Sequence, residues 1–268
     1  MFLKDFFKKV RGNIDPDILG QITGNMVLIP PGSFLMGSNS GEDNERPIHN
    51  VLVDGFYMGK YEVTQKEWFE IMGTKPWHNL RFFFEGDHYP VVNVNWYDAR
   101  EFIKKLDKVT KKRFRLPTEA EWEYACRAGS TSKFYHSSFK LNLHKYAWYH
   151  DNAFKSGEMY GHRVGQKRPN KWGLHDILGN VYEWCSDWYR RNYYNKSPIN
   201  NPQGPRFGKG KVVRGGDWAR TDYFLRVSAR RYYSPHNRDS YIGFRLACDL
   251  EDQGPREQEE EVFPLEGT

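Results

Sequence analysis

The chain has 268 residues, a formal net charge of +6, 38% hydrophobic residues and 16% aromatic residues. This length allows one large domain with a buried core, and each aromatic side chain buries a large area. The charge is too mild to indicate nucleic acid as a partner, and the absence of a run of about twenty apolar residues argues against a membrane span. Cys126, Cys185 and Cys248 lack metal-ligand or redox spacing, so we expect small buried thiols.

The chain divides into three parts by composition. Residues 1–24 predict an amphipathic lead-in, with a helix to Val10 and a turn at Gly12-Asn13. Residues 25–249 form the domain proper. Residues 250–268 are rich in acidic side chains and predict a disordered tail.

The first elements of the domain are predicted strands. Residues 26–29 predict a buried strand that stops at the Pro-Pro-Gly turn of 30–32 and resumes over 33–37. Alternation over 51–58 predicts a further strand. Near the other end, 212–213 and 244–247 predict core strands, whereas the periodicity between 129 and 211 is weak.

Three helices are predicted from their capping residues. Thr64 with Glu67 forms a capping box that predicts a helix start, and Thr118 with Glu121 repeats the pattern. Asp98 is predicted to cap a helix whose inner face comes from apolar residues between 99 and 106. The exposed side of this helix and the residues after it are basic, which we interpret as a solvated face; the cations are Lys104, Lys105, Lys108, Lys111, Lys112 and Arg113.

The first seven residues are too charged for the apolar part of a signal peptide. The chain as given is therefore expected in the cytoplasm. A leader removed from a longer precursor would place it at the cell surface instead. We expect a monomer.

Several long motifs occur in a fixed order. They are MVLIPPGSFLMG at 26–37, YEVT at 61–64, RLPTEAEWEYA at 115–125, GLHDILGNVYEW at 173–184, and RGG at 214–216 with GFR at 243–245. Over residues 24–248 the chain resembles the formylglycine-generating-enzyme, or sulfatase-modifying factor, family. The resemblance implies an α+β fold, a variant of the C-type lectin fold with little regular secondary structure.

The family's enzymes oxidise a substrate cysteine with two of their own cysteines and a copper ion. The resemblance places those positions at Arg220 and Leu225, while Asp217 stands where the family has a serine. Copper(I) prefers soft thiolate ligands, which a guanidinium and an isobutyl group cannot replace. We therefore expect no required cofactor, and the enzyme class is left open with a preference for a non-catalytic protein.

The resemblance also implies a structural calcium site at Asn180, Val181 and Glu183. Calcium accepts side-chain and main-chain oxygen ligands of this kind. The residues alone are equally consistent with a turn asparagine and a buried, hydrogen-bonded glutamate.

The segment between Ala219 and Tyr241 contains no Lys, Glu, Gln, Met or Trp. Changing the adenines of an AAC or AAT codon gives every residue type except these five, so the pattern is typical of adenine-targeted mutagenesis. The span from Arg214 to Arg245 also resembles the C-terminal cassette of the variable proteins of diversity-generating retroelements.

Residues 217–241 are therefore predicted to form a diversified ligand-binding surface, since Tyr and Arg are the usual anchors of interfaces. The candidate ligand-binding residues are Asp217, Ala219, Arg220, Thr221, Tyr223, Phe224, Ala229, Arg231, Tyr232, Tyr233, Ser234, His236, Asn237, Asp239, Ser240 and Tyr241. The predicted invariant framework is Trp218, Arg226, Val227, Ser228, Arg230, Pro235, Arg238 and 242–245. The alternative is that Tyr232 and Tyr233 fill the domain's own core.

The favoured function is non-catalytic binding of an unknown protein or surface ligand. A divergent oxidase or modifying enzyme of the same family is the first alternative. A structural or assembly factor with one fixed partner is the second.

Overall fold

The computed structural model describes residues 14–78 and 80–250. The predicted helix to Val10, the turn at Gly12-Asn13 and the acidic residues from 251 onward lie outside the described residues. Within the described part, the α-helices are α1 (Pro16–Gly24), α2 (Gln65–Met72), α3 (Trp96–Thr110) and α4 (Glu119–Arg127). No helix in this part combines the length and apolar character that a membrane crossing requires.

The strands form three sheets among the described residues. In chain order they are β1 (Met26–Ile29), β2 (Gly32–Met36), β3 (His49–Val53), β4 (Phe56–Gly59), β5 (Phe114–Arg115), β6 (Tyr182–Trp188), β7 (Lys211–Arg214), β8 (Arg231–Tyr233), β9 (Ile242–Gly243) and β10 (Ala247–Asp249). The first sheet has the order β1-β4-β10-β5, the second pairs β2 with β3, and the third has the order β8-β7-β6-β9. Only the β6–β9 pair is parallel in the pairings described.

The third sheet lies between two apolar clusters. Val212 and Cys185 face one cluster, which includes the apolar side chains of α4. Val213 and Trp184 face the other, which includes those of α2 and α3. Because successive side chains of a strand point to opposite faces, this one sheet is buried on both sides. The segment between β7 and β9 is therefore attached to the centre of the domain.

The helix starts follow the capping pattern, with one correction. Thr64 with Glu67 and Thr118 with Glu121 form the predicted capping boxes. The prediction for Asp98 was wrong, because Asn95 is the N-cap of α3 and Asp98 is its reciprocal partner three residues later. Asp98 accepts from the Asn95 backbone N–H at 2.8 Å. Both residue types can cap, so the sequence alone placed the start one turn late.

Three strand predictions also need correction. Residues 51–58 form two strands, β3 and β4, because the chain turns at Asp54-Gly55. Residues 244–246 are buried but lie before β10, and their carbonyls accept from Val63 and Gly59 in separate contacts rather than in a ladder. The longest strand, β6, lies in the stretch where no strand was predicted, since a strand buried on both faces has no alternating pattern.

Helix α1 occupies the last nine residues of the predicted lead-in. Its side chains Ile18 and Ile22 are buried in the same cluster as those of α2 and α3. Asp15 caps the helix and Pro16 begins it. These residues therefore pack on the domain.

Candidate recognition surface

The predicted binding segment connects β7 to β9 and begins with two glycines. Gly215 and Gly216 have positive φ angles of 96° and 81°. A Cβ at Gly216 would lie 2.6 Å from a methyl carbon of Leu225, so only glycine allows this close turn. The chain then passes through a 3-10 turn at Asp222–Leu225 and strand β8 before it reaches β9.

A set of buried arginine–glutamate pairs holds this segment in place. Their guanidinium groups are almost completely excluded from solvent, and each one meets a buried carboxylate. The pairs are Arg214–Glu123, Arg226–Glu45, Arg230–Glu119 and Arg245–Glu183. We call these eight residues the buried arginine frame. Since an unpaired buried charge is costly, every member depends on its partner.

Two pairs of the frame are bidentate, since the guanidinium donates to both carboxylate oxygens of its partner. Arg230 donates from Nε and Nη2 to the two oxygens of Glu119, each at 2.7 Å. Arg226 donates from Nη1 and Nη2 to the two oxygens of Glu45, also at 2.7 Å each. Such charge-assisted pairs fix orientation as well as position. They tie the segment to α4 and to the 3-10 turn at Asp43–Glu45.

The centre of the frame has a firmly ionised carboxylate. Burial acts to raise the pKa of Glu123, but the charges of Arg127 and Arg214 outweigh it and hold the pKa below its ordinary value. Arg214 also donates to the backbone carbonyls of Val227, Ser228 and Ala229. The first arginine of the segment therefore positions the main chain of its middle part.

The predicted framework residues are buried, with one exception. Trp218, Val227, Ser228 and the residues from 242 to 245 are all buried. Arg238 instead lies on the surface, where it pairs with Asp98.

The candidate ligand-binding residues fall into three groups by exposure. The exposed group consists of Thr221, Tyr223, Tyr232, Ser234 and His236. The half-buried group consists of Ala219, Arg220, Phe224, Arg231, Tyr233, Asn237, Asp239 and Tyr241. The buried group consists of Asp217, Ala229 and Ser240. The prediction that all of them lie on the surface is thus wrong for the last group.

Asp217 has a structural reason to be buried. Its Oδ1 accepts from the Ala219 backbone N–H at 2.7 Å and its Oδ2 from Arg220 Nε at 3.1 Å. Burial raises its pKa to about 6, against the opposing effect of Arg220. The side chain therefore caps the turn that follows the two glycines. Ala229 and Ser240 are also buried. The Ala229 carbonyl accepts from Arg214 Nη1 at 2.7 Å, and the Ser240 carbonyl accepts from Trp218 Nε1 at 3.5 Å.

Guanidinium and aromatic groups alternate on the half-buried part of the surface. Arg231 lies 4.7 Å from the ring centre of Phe224, and Arg220 lies 5.4 Å from that of Tyr241. Arg231 also meets both carboxylate oxygens of Glu42, at 2.5 and 2.6 Å. Because both arginines have an internal carboxylate partner, this surface is less cationic than its sequence suggests.

A tyrosine cluster lies beside these arginines. Tyr233 contacts Tyr182 and Tyr241, with ring centres 6.2 Å apart in both pairs. Tyr182 is buried, and burial together with the nearby Asp217 carboxylate raises its pKa well above the ordinary value. Tyr233 therefore packs on the core, while its neighbour Tyr232 remains 42% exposed and stacks on Tyr189 at 4.3 Å.

Sequence reasoning missed several residues that shape this surface. Glu42, Tyr182 and Tyr189 contact it from distant parts of the chain, and Phe82 and Phe154 flank Trp218 at 6.3 and 6.2 Å. Nothing in the spacing of these residues indicated the contacts, because only the fold brings them together.

The copper chemistry implied by the resemblance does not fit the residues present. Arg220 is bound to Asp217, and Leu225 is a fully buried apolar side chain. The three cysteines are free and buried as predicted, and burial raises the pKa of each thiol. Copper binds the thiolate, which burial disfavours here.

The calcium ligands implied by the resemblance are engaged by the protein itself. Glu183 accepts from Arg245 through both oxygens and from Trp122 Nε1 at 2.7 Å. Asn180 Oδ1 accepts from the His162 backbone, and its amide donates to Glu62. With a guanidinium on the carboxylate, these residues do not fit a cation. Across 14–78 and 80–250, no group of three acidic, histidine or cysteine side chains is arranged to hold a metal.

Comparison with known proteins agrees with the motifs and the fold. Residues 19–250 match the sulfatase-modifying factor enzyme 1-like domain. The chain is 30% identical to the formylglycine-generating enzyme of Streptomyces coelicolor, in an alignment that covers 85% of this chain and 90% of that enzyme.

Two solved structures are similar to this chain over most of their own length. Treponema denticola variable protein 1 has a TM-score of 0.77 and 34% identity, covering 84% of this chain and 95% of its own. PvdO from Pseudomonas aeruginosa has a TM-score of 0.75 and 30% identity, covering 84% and 94%. The predicted α+β fold of the formylglycine-generating-enzyme type is thereby confirmed. The chain belongs to the sulfatase-modifying factor enzyme 1-like domain family.

Proposed function

We propose that this chain is a non-catalytic ligand-binding protein whose recognition surface, residues 217–241, is displayed on a lectin-type scaffold. The observation that carries the proposal is the division of this segment by burial. The stretch from Leu225 to Arg230 is buried, with the frame arginines at 226 and 230 paired, whereas side chains before and after this stretch reach the surface. A rigid support with adaptable exposed groups is the arrangement that recognition surfaces use.

The exposed groups suit a protein surface or another large polar ligand. Tyr223 and Tyr232 offer rigid rings with a hydroxyl, and Ser234 and His236 offer short hydrogen-bonding groups. Arg220 and Arg231 contribute planar groups whose charge is balanced by Asp217 and Glu42. A ligand recognised by aromatic packing and hydrogen bonds fits this surface better than one recognised by its negative charge.

Diversification of the segment is part of the proposal. Its support is the absence of Lys, Glu, Gln, Met and Trp from 219–241, together with the likeness to Treponema denticola variable protein 1. A frame that does not depend on the exposed side chains would accept many different surfaces.

Two experiments test the proposal. The first is sequencing of this gene from many single colonies of its source organism. Substitutions should concentrate at the exposed and half-buried positions and spare Arg226 and Arg230. An unvarying segment, or variation spread equally over the frame, would contradict diversification.

The second experiment selects peptides from a displayed random library on the purified chain. The selected peptides should lose binding to a Tyr223→Ala, Tyr232→Ala, His236→Ala variant. They should keep binding to the matched control Phe139→Ala, Leu141→Ala, which removes two side chains that are each 75% exposed elsewhere. Peptides that prefer the control site would argue against the proposed surface.

A modifying enzyme of the same family is the second candidate. Asp217 supports it, because a buried carboxyl with a pKa of about 6 beside Arg220 has the perturbed character common in active sites. Asp217→Asn separates the candidates. It should leave selected-peptide binding within a few-fold if the surface only binds.

A further inference from the structure

The exposed face of α3 and the turn after it carry a concentrated positive charge. Lys104 lies 4.0 Å from Glu101, in an exposed pair of the weak kind. Lys105, Lys108 and Lys111 form no ion pair with any residue that the structure describes. We call the basic helix face the set Lys104, Lys105, Lys108, Lys111, Lys112 and Arg113.

The described chain ends directly beside this face. Strand β10 is antiparallel to β5, with Cys248 opposite Phe114. The Asp249 backbone N–H donates to the Arg113 carbonyl at 3.3 Å. Because the two strands run in opposite directions, this register points the chain at Asp249 toward Lys112 and Lys111.

The residues that follow have the opposite charge. Between 251 and 261 the acidic side chains are Glu251, Asp252, Glu257, Glu259, Glu260 and Glu261, against the single cation Arg256. An extended chain spans up to about 3.3–3.6 Å per residue, whereas a helix rises only about 1.5 Å per residue. The acidic stretch is therefore long enough to cover the exposed turns of α3 from its C-terminal end.

We propose that residues 251–261 of this chain dock on the basic helix face. The proposal goes beyond ligand recognition by 217–241 and does not depend on it. Each exposed ion pair is weak alone, but tethering gives the segment an effective concentration on the order of millimolar. The docked segment would shield these lysines from other anions.

A second basic region provides the internal comparison. The loop over 190–209 carries Arg190, Lys196, Arg206 and Lys209 on the surface. It is also near the chain end, since Asn201 bonds to Asp54 and the neighbouring Gly55 faces Leu250. The direction of β10 favours the helix face over this loop. The two regions can be distinguished by which of their lysines react with the acidic segment.

Zero-length carbodiimide cross-linking of the full chain, followed by peptide mass spectrometry, tests the proposal. Amide bonds should join carboxylates of 251–261 to Lys105, Lys108 or Lys111, several-fold more than to Lys196 or Lys209. Their yield should not change with protein concentration and should fall sharply at about 1 M salt, where the screening length is about 3 Å. The exposed pair Lys75–Glu85, 2.6 Å apart, is the positive control for the reaction.

A second measurement uses retention on a heparin column. Lys105→Gln, Lys108→Gln, Lys111→Gln should reduce retention only slightly in the parent chain. The same change should reduce it several-fold more when Glu259→Gln, Glu260→Gln, Glu261→Gln has removed the shielding. Equal reductions in the two backgrounds would overturn the proposal. So would cross-links that favour Lys196 and Lys209, depend on protein concentration, or are missing while Lys75–Glu85 reacts.

Discussion

The segment between β7 and β9 contains two kinds of arginine that behave differently. Arg230 is fully buried, with both oxygens of Glu119 at 2.7 Å. Arg238, eight positions later, pairs with Asp98 at the surface and keeps 44% of its side chain exposed. Water can replace the partner of the exposed guanidinium but cannot reach the buried one.

This contrast explains how one segment can serve two purposes. The buried frame fixes the path of the backbone through pairs that tolerate no loss of either partner. The exposed side chains of the segment, such as Tyr223, Tyr232 and Ser234, lie at the surface and contribute little to that path. Under the proposed function, stability and recognition depend on different residues of the same stretch of chain.

The largest expected effect comes from breaking one frame pair. Arg230→Met leaves Glu119 buried without its main partner, so the free energy of unfolding should fall by about 3–5 kcal/mol. Arg238→Met is the matched control and should cost less than about 1 kcal/mol. Urea denaturation followed by circular dichroism measures both. Equal losses would show that burial does not distinguish the two pairs.

A smaller, pH-dependent effect on stability is expected from the buried carboxyl of Asp187, which lies beside the frame. Burial and then the charge of Glu119 raise the pKa of Asp187 to about 7, although it accepts from the Glu119 backbone at 2.8 Å. The unfolded pKa is about 3.9, so between about pH 4 and pH 7 the folded chain retains a proton that the unfolded chain releases. The contribution of Asp187 to stability is therefore present below this window and lost as the pH rises through it.

Asp187→Asn removes the fall in stability that Asp187 causes as the pH rises. The melting temperature of the variant minus that of the parent should increase from pH 4 to pH 7 and then level off. Asp54→Asn, a change at an exposed carboxylate, serves as the control. A difference that falls with rising pH would reverse the sign of the argument.

Adjacent tyrosines of β8 test the boundary between frame and surface. Tyr233 packs against Tyr182 and Tyr241, and Tyr232 stacks on Tyr189 while 42% exposed. Tyr233→Ala should cost about 2–3 kcal/mol and Tyr232→Ala less than about 1 kcal/mol. Thermal unfolding of the two variants gives the comparison. The reverse order would place Tyr232 in the core.

The smallest effect is expected at the polar exposed positions. Ser234→Asp and His236→Thr should each change the free energy of unfolding by no more than about 0.5 kcal/mol. Denaturation midpoints within error of the parent are the expected result. A loss comparable to that of Tyr233→Ala would show that these positions are not free to vary.

Much of this arrangement could be predicted from the sequence because it depends on neighbouring residues. The capping boxes at Thr64 and Thr118, the glycine turn at 215–216 and the buried Trp218 follow from local spacing and motif. Motif order also indicated the family. The same local reasoning failed at α3, where Asn95 and Asp98 have equal capping ability.

The sequence by itself determined the family and the fold class, because motifs can be recognised without knowledge of contacts. It also placed Arg226, Arg230 and Arg245 in the framework, but it wrongly grouped the exposed Arg238 with them. Only the tertiary structure decided which candidate residues reach solvent. Asp217, Ala229 and Ser240 are buried, and they bond to Arg220, Arg214 and Trp218, respectively. Burial depends on the three-dimensional neighbours of a side chain, and residue type alone does not specify them.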